Sequence, residues 1–146
     1  MTQEDKELLL KDLCARLPYG VEVEYNSIKC EVLSIDKYNE ELTIRVCPGY
    51  SPIVKLENIK PFLFPLSSMN EEQFTELRNE TELNQYPDDL ELVEWENNYK
   101  TLEFYLEEVP SDVVIEVFDW LNKNHFDYRG LIPKGLAIDA TDKNIY

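Results

Sequence analysis

The densest mixture of titratable, aromatic and amide side chains lies at Asn122-Lys123-Asn124-His125-Phe126-Asp127-Tyr128-Arg129-Gly130. His125 is the only histidine, so it alone has an ordinary side-chain pKa near neutrality. General-base chemistry needs such a group, held by an orienting partner. Asp127 is spaced to orient it, and Arg129 carries a guanidinium fork that grips anions bidentately. Tyr128 sits between the two. The segment also has a plainer reading as a helix C-terminus. Lys123 and His125 then answer the negative end of the helix dipole, and Arg129 pairs with an acidic neighbour.

Other chemistries have less support. A metal site needs several His, Cys or carboxylate ligands at close spacing, which one histidine and three distant cysteines do not supply. The carboxylates are many, but none follow the spacing of a calcium loop. There is no GxGxxG and no Walker loop, and a chain with only 4 glycines offers little for a phosphate cradle. No cofactor is therefore expected. Cys14, Cys30 and Cys47 are an odd, widely spaced set with apolar neighbours. They read as reduced core thiols rather than a disulfide framework. Cys14 or Cys47 would serve as a nucleophile only if the fold carried one of them to His125. Tyr25, Tyr38 and Tyr50 fall in or between predicted strands, where such residues can line an aromatic cage or peptide groove, or simply pack half-exposed. These tyrosines join His125, Asp127, Tyr128 and Arg129 as candidate binding residues, and no residue is assigned a catalytic role.

The 146 residues are 43% hydrophobic and 12% aromatic, enough for a core. The net charge is −16, unevenly spread. Residues 71–116 carry 15 acids against Arg78 and Lys100 alone, a balance of −13. That third of the chain repels a phosphate backbone, so direct nucleic-acid binding is disfavoured. It reads either as a solvated acidic face or as a surface for a basic partner. No apolar run approaches the roughly 18 residues that span a bilayer. The acidic start Met1-Thr2-Gln3-Glu4-Asp5 does not resemble a signal peptide. A cytoplasmic protein without membrane contact is expected.

The positioning elements read as follows. Thr2 and Asp5 form a capping box for an amphipathic helix over about 3–17. Leu9, Leu10, Leu13, Cys14 and Leu17 lie on its apolar side, with Lys6, Lys11, Asp12 and Arg16 opposite. Alternation then predicts strands at Val21–Tyr25, from Ile28 to Ile35 and from Leu42 to Val46, with a short one at Ile53–Leu56. The apolar phase slips between Val32 and Leu33, which predicts a β-bulge. Ile59–Phe64 reads as an edge piece, because Pro61 lacks a ladder N–H. Close-spaced strands with a strong bend suggest a small SH3-like barrel or coiled meander. Ser68 to Glu71 predicts a capping box for a helix to about Glu80. Leu90–Val109 alternates as a hairpin turning at Asn97-Asn98 and also fits a helical stripe; its aromatic and alternating residues favour the hairpin. Pro110-Ser111-Asp112 opens a last helix ending near Asn124, and Leu136–Ile138 reads as a closing strand or extended arm. The expected class is α+β, divided into an N-terminal helix with a small barrel (1–66) and an acidic α+β part (67–146).

Three stretches also carry a resemblance: Leu8-Leu9-Leu10-Lys11-Asp12-Leu13-Cys14-Ala15-Arg16-Leu17-Pro18-Tyr19-Gly20-Val21, Ile59-Lys60-Pro61-Phe62-Leu63-Phe64-Pro65-Leu66-Ser67-Ser68-Met69, and Asp119-Trp120-Leu121-Asn122-Lys123-Asn124-His125-Phe126-Asp127-Tyr128-Arg129-Gly130-Leu131-Ile132. In this order they resemble small uncharacterised proteins of gut Bacteroides and their phages and prophages. The resemblance implies a bacterial or phage origin and carries no activity or site residue. Residues 82–110 resemble an elaboration beyond shorter relatives of this kind.

Three functions follow as expectations. The first is a non-enzymatic accessory module that binds another protein, a basic one among the alternatives. The second is an acidic DNA mimic that blocks a nucleic-acid-binding protein. The third is a small enzyme built on His125, Asp127 and Arg129, which requires a concave pocket at that segment. Oligomeric state is left open by the sequence.

Overall fold

The computed structural model describes residues 1–85, 90–95, 99–104 and 110–146. The class is α+β. The chain forms two compact units, Met1–Leu63 with Arg129–Tyr146, and Phe64–Tyr128. The expected division near 66 becomes a crossing at 63/64 and a second at 128/129. The C-terminal segment joins the first unit because its strand and tail bond to residues 62–63.

In the first unit, helix α1 (Gln3–Arg16) starts at the expected capping box: Asp5 N donates to Thr2 Oγ1 and Thr2 N to Asp5 Oδ2, both at 3.1 Å. Strands β1 (Glu22–Tyr25), β2 (Ile28–Asp36), β3 (Glu41–Arg45) and β4 (Ile53–Lys55) form an antiparallel meander. The β1–β2 turn places Asn26 and Ser27 at φ 51° and 62°. That pair of left-handed residues matches the right-handed twist of the strands. The register between β2 and β3 shifts at Leu33, so the bulge read from the sequence is present. It lets Val32 and Ile35 both meet the core although they are an odd number of residues apart.

Strand β5 (Ile59–Pro65) pairs antiparallel with β1 through Ile59, Lys60 and Pro61. Its later half pairs parallel with Ile138–Asp139 (β9) through Phe62 and Leu63. It is therefore an inner strand, not the edge piece expected from Pro61. The proline is tolerated because pairing with β9 begins only after it, so its missing N–H interrupts no ladder there. Among the described residues β4 pairs only with β3, so this sheet stays open. The bent meander is present, and closure into an SH3-like barrel is not. Leu9, Leu13, Val21, Val23, Cys30, Ile44 and Leu63 lead the core of this unit.

The inner face of α1 departs from the expected one. Leu9, Asp12, Leu13 and Arg16 are buried, while Cys14 is exposed. Two charged residues thus occupy the core side, and they do so paired. Arg16 donates from Nε to Asp12 Oδ2 at 2.8 Å and from Nη2 to Oδ1 at 3.0 Å. Arg129 adds Nη1 to Oδ1 at 2.8 Å. The bidentate fork plus a second guanidinium saturates the carboxylate, which permits complete burial. Cys47 is also exposed, so only Cys30 is a core thiol, and burial raises its pKa.

In the second unit, helix α2 (Glu71–Glu80) is capped by Asn70 and Gln73, two residues later than the expected Ser68. Ser68 instead closes a 3-10 turn by donating to the Pro65 carbonyl. The backbone of Leu90–Trp95 (β6) and Tyr99–Phe104 (β7) pairs antiparallel, so the hairpin alternative holds. The expected turn at Asn97-Asn98 lies outside the described residues. Helix α3 (Ser111–Lys123) buries Val113, Val117, Trp120 and Leu121 against Leu66, Met69, Leu77 and Leu83. Strand β8 (Phe126–Asp127) pairs with Phe64 and Pro65. Trp120 stacks on Phe126 with centroids 5.8 Å apart.

The buried charge network generates a stability test. Asp12→Ala leaves the fully buried Arg16 without its carboxylate, so urea unfolding should show a loss of about 3–5 kcal/mol. Glu31→Ala removes the solvent-exposed pair with Arg45 and should change stability by under about 1 kcal/mol. Equal effects of the two substitutions would refute the central role given to Asp12.

Candidate functional site

The segment Asn122–Arg129 is held as a helix terminus, and its parts diverge. After the last turn of α3, Asn124 N donates to the Trp120 carbonyl at 3.0 Å and His125 N to the Asn122 carbonyl at 3.2 Å. His125 then takes φ 59°, the left-handed position that ends many helices. Its carbonyl accepts from Phe64 N at 2.9 Å, starting the pairing with β8. His125 and Asp127 are buried, 6% and 7% exposed. Tyr128 donates from its hydroxyl to Asn122 Oδ1 at 3.0 Å and packs on Phe118. These three belong to the second unit. Arg129 belongs to the first, where it bonds to Asp12. The acidic neighbour read from the sequence is therefore Asp12. Neither of the described cavities is lined by residues 122–130.

The tyrosines do not converge. Tyr25 ends β1 and Tyr50 lies in the β3–β4 loop, at the same end of the meander. Tyr38 sits in the β2–β3 turn, 87% exposed, at the other end of the nine-residue strand β2. At about 3.3 Å per residue, the length of that strand, at most roughly 30 Å, lies between them. One cage cannot contain all three. Among the described residues no group of three or more His, Cys, Asp or Glu is placed to hold a metal ion. Among them no helix is long and apolar enough to cross a membrane.

Two constellations sharpen or extend the sequence reading. One is the acidic outer face of α2, where Glu71, Glu72, Thr75, Glu76 and Asn79 border an open depression of about 550 Å³. The acidic balance of residues 71–116 covers these positions, and the helical spacing gathers them on one face. The other is a cleft of about 220 Å³ lined by Lys6, Glu40, Lys55, Leu56 and Glu57. Three separate elements contribute these side chains, so no local pattern announces them.

The charges of that cleft are strongly paired. Lys6 Nζ lies 2.6 Å from Glu40 Oε2 and 4.0 Å from Glu57 Oε2. Lys55 Nζ lies 2.9 Å from Glu41 Oε1 and 3.3 Å from the Asn39 carbonyl oxygen. The bond from Lys6 lowers the pKa of Glu40, and the bond to Glu40 raises that of Lys6. Hydrogen bonds from the Asn39 side chain and backbone, then from Tyr38 N, lower the pKa of Asp36 in the same turn.

The sign of the pH dependence follows. A carboxylate with a lowered folded-state pKa stabilises fully above its unfolded value and loses that contribution as pH falls through the folded one. Glu40 and Asp36 therefore stabilise above their ordinary values of 4.5 and 3.8 and cease to do so in acid. Lys6 behaves oppositely, contributing below 10.5 and losing its contribution as pH rises through its raised value. The combined variant Asp36→Asn/Glu40→Gln should show a flatter fall of urea midpoint on acidification from about pH 5. An unchanged slope would refute the assignment.

Comparison of the chain with family models, curated proteins and solved structures returns no match, so the functional reading rests on the chain's own residues.

Proposed function

We propose that this chain is a non-enzymatic accessory module, of phage or prophage origin, that binds a basic protein through its second unit. The supporting observation is the partition of charge between the two units. Met1–Leu63 with Arg129–Tyr146 carries 13 acids and 11 bases, a balance of −2. Phe64–Tyr128 carries 17 acids and 3 bases, a balance of −14. Solubility alone calls for no such segregation, since carboxylates spread over both units would serve as well. A field concentrated on one unit instead steers and orients a cationic partner. Glu71, Glu72 and Glu76 are solvent-exposed on α2 and available to it.

The enzyme reading has less behind it. His125 is buried at a helix terminus and Arg129 is engaged with Asp12.

The test is a pull-down with the tagged full chain from nuclease-treated Bacteroides lysate. Raising the salt from about 0.1 M to about 1 M shortens the Debye length from about 10 Å to about 3 Å. A basic protein should be captured at low salt and released at high salt, and Glu71→Gln/Glu72→Gln/Glu76→Gln should weaken its capture. If DNA competes for the captured protein, the mimic form of this reading is selected. Retention at high salt together with indifference to the triple substitution would refute the proposal, as would the lack of any saturable partner.

A further inference from the structure

We infer that the cleft formed by Lys6, Glu40, Lys55, Leu56 and Glu57 binds a compact zwitterion of the free amino-acid class. Three observations converge on it. The first is charge balance: two ammonium groups and two carboxylates from α1, the β2–β3 turn and β4 with the turn that follows it line one small volume. A lone anion meets Glu40, Glu57 and the neighbouring Glu41, and a lone cation meets Lys6 and Lys55. A ligand carrying both charges on one small frame satisfies both signs together. Leu56, 1% exposed, supplies an apolar floor.

The second observation is backbone geometry. Glu40 stands at φ 53°, in the left-handed region that favours glycine or asparagine. Its carboxylate reaches Lys6 in a half-exposed pair, with side chains 22% and 28% exposed. Ion pairs this accessible return little stability. This left-handed residue closes the β2–β3 turn and sets its carboxylate against Lys6 at the cleft.

The third is size and residual bonding capacity. About 220 Å³ holds roughly seven waters at about 30 Å³ each, and falls below the roughly 300 Å³ of larger ligand pockets. A nucleotide is too large and a small amino acid fits. Glu57, 4.0 Å from Lys6, is less committed than Glu40 and takes the ligand ammonium. Lys55 uses two of its three Nζ hydrogens on Glu41 and Asn39 among the described residues, and the third takes the ligand carboxylate.

The experiment is an amide NMR titration of the full chain with L-alanine, and separately with acetate, methylammonium and glycylglycine. Alanine should give saturable shifts at Lys6, Lys55, Leu56 and Glu57. The single-charge probes should not saturate, and glycylglycine, with its charges farther apart, should bind more weakly. Glu57→Gln and Lys55→Gln should each weaken alanine binding at least tenfold at an unchanged urea midpoint. The inference is overturned if alanine at about 10 mM, well above a millimolar Kd, gives no saturable shift. It is also overturned if acetate or glycylglycine reproduces the alanine response. Because the cleft and the acidic face lie in different units, either result leaves the basic-partner reading standing on its own test.

Discussion

The first unit depends on one buried carboxylate. Asp12 accepts from Arg16 within α1 and from Arg129, the first residue of the returning C-terminal segment. A unit made from two distant stretches of chain needs something to hold the second stretch in register. Its apolar contacts are non-directional, whereas guanidinium–carboxylate bonds fix position and angle. Further along, β9 pairs with β5, Ala140 N donates to the Leu63 carbonyl, and the Tyr146 hydroxyl donates to the Phe62 carbonyl. Burial raises the Tyr146 pKa far above its ordinary range, so this donor stays protonated. Polar anchors thus stand at the start, middle and end of the returning segment.

The second unit answers a different constraint. A balance of −14 makes like charges repel within a small volume, and repulsion opposes compaction. Its described core is correspondingly rich in large rings and long side chains, with Trp120, Phe126, Phe64 and Leu121 around the end of α3. Among the described residues, Glu71, Glu72 and Glu76 lie on the exposed face of α2, and other charges find local partners. Lys123 lies 3.6 Å from Glu80, and Glu116 accepts from Glu82 N. Apolar packing and exposed charge coexist on α2 because they occupy opposite sides of the helix.

The legible parts of the fold were those governed by local rules. The Thr2–Asp5 box, the bulge at Leu33 and the pairing of residues 90–95 with 99–104 each follow from neighbours a few positions apart. Illegible were the features decided by a distant partner. Asp12 and Arg16 look like a wet face until Arg129, 117 residues away, completes their bonding. Pro61 looks like an edge residue until β9 is seen to start pairing one position later. Cys14 and Cys47 have apolar neighbours in sequence, yet helix phase and strand exit turn them outward. Among the candidate site residues, Arg129 was legible as half of an ion pair. The separation of Tyr38 from Tyr25 depended on the length of β2, and the cleft at Lys6 on three elements meeting.

The shifted groups of the first unit also bear on the kind of chemistry it favours. Acid–base catalysis requires a group moved toward neutrality, so that both protonation states are accessible. Glu40 and Asp36 move the other way, further below neutrality, and Lys6 moves further above it. Each pair thereby locks its charges on. Cys30, raised by burial, is held as the less nucleophilic thiol. Fixed charges at fixed positions suit recognition, where complementarity must persist across pH, better than proton transfer, where it must change. At Lys6 the charges are held by their partners over a wide pH range, as recognition requires and proton transfer does not.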